Sequence, residues 1–169
     1  VGSEMCIRDR VYTDYFLMTA NPHVVREVAD VFNVIRRPYV IPRFRHLLVS
    51  PFNMREEFNR LIDNEIKAAR SGREAWIKIK TNHVTDEEMV ERLYDASEAG
   101  VKVDMLVRGN CSVVTGVPGF SRNIEIAGII DRYLEHARIY IFHSGGENKT
   151  FMGSADWMPR NLDRRIEVV

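Results

Sequence analysis

Between residues 46 and 107 the chain alternates between short apolar runs and longer amphipathic ones, and this alternation restricts the fold more than any other feature. "HLLVS" (46–50), "AWIKIK" (75–80) and "VKVDMLV" (101–107) read as strands. Between the first two lies "NMREEFNRLIDNEIKAARSG", with Asn53 as a cap, Glu56 three residues on and Gly72 as a stop. Phe58, Leu61, Ile62, Ile66 and Ala69 supply its apolar stripe. The second connection, "TDEEMVERLYDASEAG", opens on a Thr85–Glu88 capping box and closes at Gly100. Strand–helix–strand–helix–strand order predicts an α/β fold, a mostly parallel sheet flanked by helices and joined by right-handed crossovers.

In such sheets ligands bind beyond the carboxyl ends of the strands. Those ends carry Ser50–Pro51–Phe52–Asn53, then Lys80–Thr81–Asn82, then Arg108–Gly109–Asn110, all polar. Upstream, residues 11–45 read as a strand or turn followed by a helix. Asn21 caps it, Pro22 takes its first position, and Val24, Val28, Val31, Phe32 and Ile35 recur at helical spacing. Pro38 and Pro42 in "RRPYVIPRF" then mark a linker. Residues 119–133 remain open between strand and helix.

Composition limits the partners. Of 169 residues, 45% are hydrophobic, enough for a core, and 24 basic side chains balance 24 acidic ones, which argues against a nucleic-acid binder. No run approaches the roughly 18 apolar residues of a membrane-crossing helix. Cys6 and Cys111 form neither a disulfide framework nor a metal-ligand spacing. Residues 1–10, "VGSEMCIRDR", lack the apolar middle of a signal sequence; "MCIRDR" resembles a read-through peptide, and the stretch is set aside as a non-native leader. "RRIEVV" stops within a strand-like run, so both ends read as those of a fragment.

Four places could carry chemistry. Arg108 ends an apolar strand ahead of Gly109, where its planar fork suits phosphate or carboxylate oxygens; a salt bridge to Asp104 or Asp131 is the competing reading. His136, in "LEHARIYIF", stands at the mouth of the strand 139–142, either as a surface residue or as a group aimed into a site. In "FMGSADWMPRNLDRRIEV" (151–168), Gly153, Ser154, Arg160, Asn161, Arg164 and Arg165 suggest a phosphate cradle. The alternative there is a helix start capped by Asp156, with Trp157 and Met158 in the core. Tyr12, in "VYTDY", is either a core aromatic or a base-stacking platform.

"YTDYFLMTA", "LLVSPFNMR", "LYDASEAGVKVDMLVRGNCS", "PGFSRNIEIAGIIDRYLEHARIYIF" and "SADWMPRNLDRRIEV" together resemble the C-terminal half of bacterial polyphosphate kinases, from about Val11 onward. The resemblance implies phospholipase D-like catalytic domains. Residues 11–45 would be the tail of the first with a linker, and 46–169 the second, incomplete. It also implies reversible transfer of the terminal phosphate of ATP to inorganic polyphosphate, through a phosphohistidine and with Mg2+.

By the same resemblance Tyr12 contacts the nucleotide, Arg108 and Arg165 lie at the phosphates, and His136 is the family's second histidine, both catalytic and phosphate-binding. The phosphorylated histidine belongs to a "HPY"-type motif upstream; "RRPYV" shares only its Pro-Tyr, with Arg37 where histidine would stand. The magnesium ligands are likewise upstream, so no metal ligand is assigned here. ATP, ADP and polyphosphate are the implied partners, with no nucleic acid. The intact protein would be a cytoplasmic homo-oligomer, with peripheral membrane association allowed, and the fragment alone would be inactive.

Two other readings stand beside this one. A phospholipase D-type phosphodiesterase carries H-x-K-x4-D, but here Arg138 replaces the lysine and His143 the aspartate, while "GSADW" puts Asp156 where the related tail has asparagine. A non-catalytic anion-binding module is the other.

Overall fold

The structure, a computed structural model, describes residues 12–13, 15–129 and 134–169. The leader 1–10 and Asp131 lie outside them. A two-residue strand β1 (Tyr12–Thr13) pairs in parallel with β6 (Leu134–Glu135). Helix α1 (Pro22–Arg36) begins where Asn21 accepts a hydrogen bond from the His23 amide, 2.9 Å. Its spaced valines do not enter a core: Val28, Phe32 and Ile35 are exposed, and the buried positions are Val34 and Glu27. Glu27 accepts from the amides of Arg45, His46 and Leu47, so a carboxylate fastens α1 to the chain beyond the proline linker.

The main sheet runs in the order β5 (Ile124–Gly128), β4 (Lys102–Val107), β3 (Trp76–Thr81), β7 (Arg138–Phe142), β8 (Lys149–Gly153). β3, β4 and β5 are parallel neighbours; β7 is antiparallel to β3 and β8 to β7. Four of the five strands therefore point the same way, in the α/β architecture expected. Residues 119–133 resolve in part, since 124–128 form the edge strand β5.

Of "HLLVS", only Val49–Ser50 (β2) forms a strand, and it lies outside this sheet, antiparallel to β9 (Glu167–Val168). A burial pattern of two adjacent interior residues resembles an inner strand, but its hydrogen-bonding partner is the chain end.

Helices α2 (Met54–Arg70) and α3 (Glu87–Glu98) cover one sheet face. Phe58, Leu61 and Ile62 of α2, with Met89 and Leu93 of α3, are fully buried, as are Ile77, Val103, Tyr140 and Phe142 of the strands. The period-two alternation puts Lys78, Asp104, Ile139 and Ile141 on the other face, where they line an open depression of about 340 Å³. Arg55 ties α2 to the Asp86 carboxylate (2.7 Å) at the start of α3 and to Asp163 (2.7 Å) of the short helix α4 (Pro159–Asp163). No helix of the described residues is long and apolar enough to cross a membrane.

Two caps differ from expectation. Asp86 rather than Thr85 caps α3, accepting from the Met89 amide at 3.1 Å. Asn53 precedes α2 but makes no cap bond; its amide accepts from Val49 N and donates to Leu47 O, bracing the turn instead.

Gly153 closes the sheet against β9: a Cβ there would sit 2.1 Å from the Val168 carbonyl oxygen. Backbone cannot yield as a flexible side chain can. Gly153→Ala should therefore lower the stability measured by urea unfolding by about 2 kcal/mol or more.

Candidate functional site

The sheet edge at the carboxyl end of β3 collects the polar groups. Parallel pairing puts Arg108, after β4, beside Thr81, and the Arg108 amide donates to the Thr81 carbonyl (3.2 Å). Because β7 runs the other way, its beginning is at this edge: Ile139 pairs with Lys80, so His136 and Arg138 sit just beyond. β8 ends here as well, with Gly153 opposite Arg138 and Ser154–Asp156 following.

At the centre is a buried ion pair. Asp156 and Arg138 are 4% and 6% exposed. Arg138 Nε donates to Asp156 Oδ1 (3.0 Å) and Nη2 to Oδ2 (2.9 Å), a two-pronged contact. Oδ1 also accepts from Thr81 Oγ1 (2.8 Å) and from the amides of Asn82 (2.8 Å) and His83 (3.3 Å). Burial alone would raise the Asp156 carboxyl; the Arg138 guanidinium and these donors outweigh it and hold the group below its ordinary value. Asp156 is thus an interior acceptor rather than the helix cap that one reading of 151–168 predicts.

Packing fixes this region. Trp157 stacks on Tyr140 with ring centroids 5.5 Å apart, and Phe58 meets both rings. The Tyr140 hydroxyl donates to the Ala155 carbonyl (2.7 Å); burial pushes that phenol well above its usual range.

His136 is half-buried and lines a cavity of about 310 Å³ with Tyr15, Leu17, Ala137, Met152 and Ser154. Its carbonyl accepts from Arg138 Nη1. Arg108 is partly exposed, and among the described residues no carboxylate pairs with it: Asp104 faces Lys78 instead, at 3.9 Å. Strands stand about 4.8 Å apart, so the ends of β4 and β7 are roughly 10 Å apart across β3, a span an extended phosphate chain can bridge.

Arg165 is exposed, and its amide donates to Arg160 O. Neither Arg108 nor Arg165 lines the His136 cavity. The backbone of Tyr12 lies in β1 beside Leu134, two residues before His136; its side chain lies outside the described residues.

The proposed cradle of 151–168 is largely committed elsewhere. The Ser154 amide donates to Val168 O, and the Asn161 amide nitrogen donates to Glu167. Arg160 and Arg164 are exposed. The Ser50–Asn53 set, carried by β2, does not belong to this sheet edge.

One edge residue carries no sequence signal. His83 Nδ1 accepts from the Asn110 amide (3.1 Å), leaving any ring hydrogen on Nε2, and its ring lies flush against Gly109, where a Cβ would fall 2.6 Å away. Among the described residues no group of three or more His, Cys, Asp or Glu side chains is placed to hold a metal ion.

Fold and site together define a class: a two-layer α/β domain with guanidinium and imidazole groups at one strand-end edge of its sheet. The chain belongs to the polyphosphate kinase family, since the model of polyphosphate kinase C-terminal domain 2 matches residues 47–169. It is 50% identical over 159 residues to the polyphosphate kinase of Vibrio parahaemolyticus and 48% identical to that of Escherichia coli K12, covering 94% of this chain in each case. It superposes on the crystal structure of polyphosphate kinase from Porphyromonas gingivalis with a TM-score of 0.88 at 44% identity, over 94% of this chain and 24% of that one. The chain spans about a quarter of the length of the curated relatives it matches, 23%.

The buried pair sets an acid limit on the fold. With its folded pKa depressed, Asp156 contributes stability that is complete above the unfolded carboxyl's value of about 4 and drains away as the pH falls toward the folded one. Urea unfolding followed from pH 7 downward should show that loss, flattened in Asp156→Asn. Asp156→Ala, which strands the Arg138 charge in the interior, should destabilise by about 3–5 kcal/mol at pH 7.

Proposed function

We propose that this chain works as the second C-terminal catalytic domain of a polyphosphate kinase, forming one wall of the site where the terminal phosphate of ATP moves reversibly to inorganic polyphosphate. The observation that carries the reading is a histidine held at an open cavity on the strand-end edge, with an arginine two strands away that no carboxylate among the described residues pairs with. Phosphoryl transfer demands positioning and neutralisation of spreading charge more than elaborate covalent chemistry.

In the forward direction the bond between the terminal phosphorus and the β-phosphate oxygen of ATP breaks, while a bond forms from phosphorus to a ring nitrogen of a histidine outside this sequence. His136, when protonated, donates a charged hydrogen bond or its proton to the oxygen left on ADP. Arg108 grips oxygens of the anionic chain, and Arg165, further out, steers the same charge. Tyr12 is assigned to the nucleotide. Magnesium accompanies ATP in this reading, but no step here passes through residues of this chain that would hold it. A homo-oligomeric, cytoplasmic enzyme with peripheral attachment to the membrane belongs to the same proposal.

The phosphodiesterase reading fares worse. Its lysine and asparagine positions hold Arg138 and Asp156, which satisfy one another in the interior and cannot also grip a phosphodiester.

In the intact enzyme carrying this sequence, His136→Ala should slow phosphorylation of the upstream histidine by about 100-fold or more, followed with labelled ATP; an unchanged rate overturns the assignment. Arg108→Ala should raise the KM for ATP about tenfold, equivalent to about 1.4 kcal/mol. Hydrolysis of a chromogenic phosphodiester at a rate comparable to kinase turnover would favour the alternative.

A further inference from the structure

Three consecutive carbonyls around the candidate catalytic residue are each held by a side chain from the sheet. The Ala137 carbonyl accepts from Lys80 Nζ (3.0 Å), and the His136 carbonyl from Arg138 Nη1. With the Asn82 amide oriented to satisfy both its ends, its nitrogen donates to Glu135 O (2.8 Å) and its oxygen accepts from Arg138 Nη2 (3.1 Å). Chain at a sheet edge ordinarily gives its carbonyls to water. Here a run of three is captured, which fixes the backbone from which the imidazole projects.

The holders are fixed in turn. Lys80 pairs with Glu135 (3.3 Å), and the backbone N–H of Asn82 donates to Asp156. Two of the Arg138 nitrogens grip Asp156, leaving the third for the His136 carbonyl. A buried ion pair adds little stability over apolar residues of similar volume, so stability alone does not account for a guanidinium at this position. Its geometry does: only a planar fork can hold a carboxylate with one side and a carbonyl with the other.

We infer that Arg138 and Asp156, assisted by Lys80 and Asn82, are positioning residues that aim His136 at the cavity without touching the substrate. The inference rests on the reading in which His136 takes part in phosphoryl transfer.

The test is a set of double-mutant cycles in the intact enzyme. Asp156→Asn and Lys80→Met are made alone and combined with His136→Ala, and kcat and KM for ATP are measured along with thermal unfolding. Each single change should lower kcat by about 10- to 100-fold with KM little altered. In the His136→Ala background the same changes should lower kcat hardly at all, because residues acting through one group are not additive. Arg138→Lys, which keeps the charge but loses the fork, should fall with the damaged variants rather than with wild type.

The inference is overturned if the folded variants keep wild-type kcat. Equal losses with and without His136 overturn it too, since they mark a purely structural role. Should Asp156→Asn not fold, Lys80→Met decides alone, because that side chain is partly exposed and outside the core. A wild-type rate for His136→Ala itself is a different failure: it removes the functional reading first, and this inference with it.

Discussion

A carboxylate in an apolar interior must replace the water it has lost, and Asp156 does so with five hydrogen bonds drawn from two distant parts of the chain. Thr81, Asn82 and His83 come from the end of β3; Arg138 comes from the start of β7. β3 belongs to the parallel, helix-connected half of the sheet, and β7 begins the antiparallel half. The carboxylate therefore sits at the seam and holds the two halves in register where strand ends must converge. Tyr140 and Trp157 pack beneath it, so shifting the carboxylate would disturb the aromatic centre of the core.

That seam explains which parts of the fold were legible in the sequence. The elements between residues 53 and 107 carry their own local signals, namely helical stripes, a terminal glycine and period-two alternation, and they form close to where those signals place them. What failed was anything decided by distant partners. "HLLVS" has strand composition, but residues 167–169 rather than β3 supply its ladder. Helix α1 has the expected cap, yet Val28, Phe32 and Ile35 of its apolar stripe are exposed, and the residues it buries are Val34 and Glu27, whose carboxylate binds the chain beyond the linker. Thr85 and Asp86 compete as caps, and the Arg55 contact settles the choice, since it already orders the Asp86 side chain.

The site shows the same division. Arg108 and His136 could be singled out because one ends a strand-like run and the other directly precedes one, and topology brings both to one edge. Asp156 could not be read correctly: an acid before a proline-led turn looks like a cap, and nothing local reveals a guanidinium 18 residues earlier. His83 was invisible for a similar reason, its ring being set by the bare backbone of Gly109 and the amide of Asn110.

Arginine thus serves two opposed purposes at this edge. Arg138 is neutralised, desolvated and rigid, and its charge is unavailable to any ligand. Arg108 is wetter and unmatched by any carboxylate among the described residues, so its field extends outward. In the proposed reading a phosphate chain, dense in negative charge, seeks the second kind, while an imidazole needing a fixed direction requires the first. Sorting a residue type by burial in this way lets a chain with no net charge present a locally cationic edge. It also predicts where exchange among cations does harm: at Arg138, whose fork holds the Asp156 carboxylate and the His136 carbonyl at once.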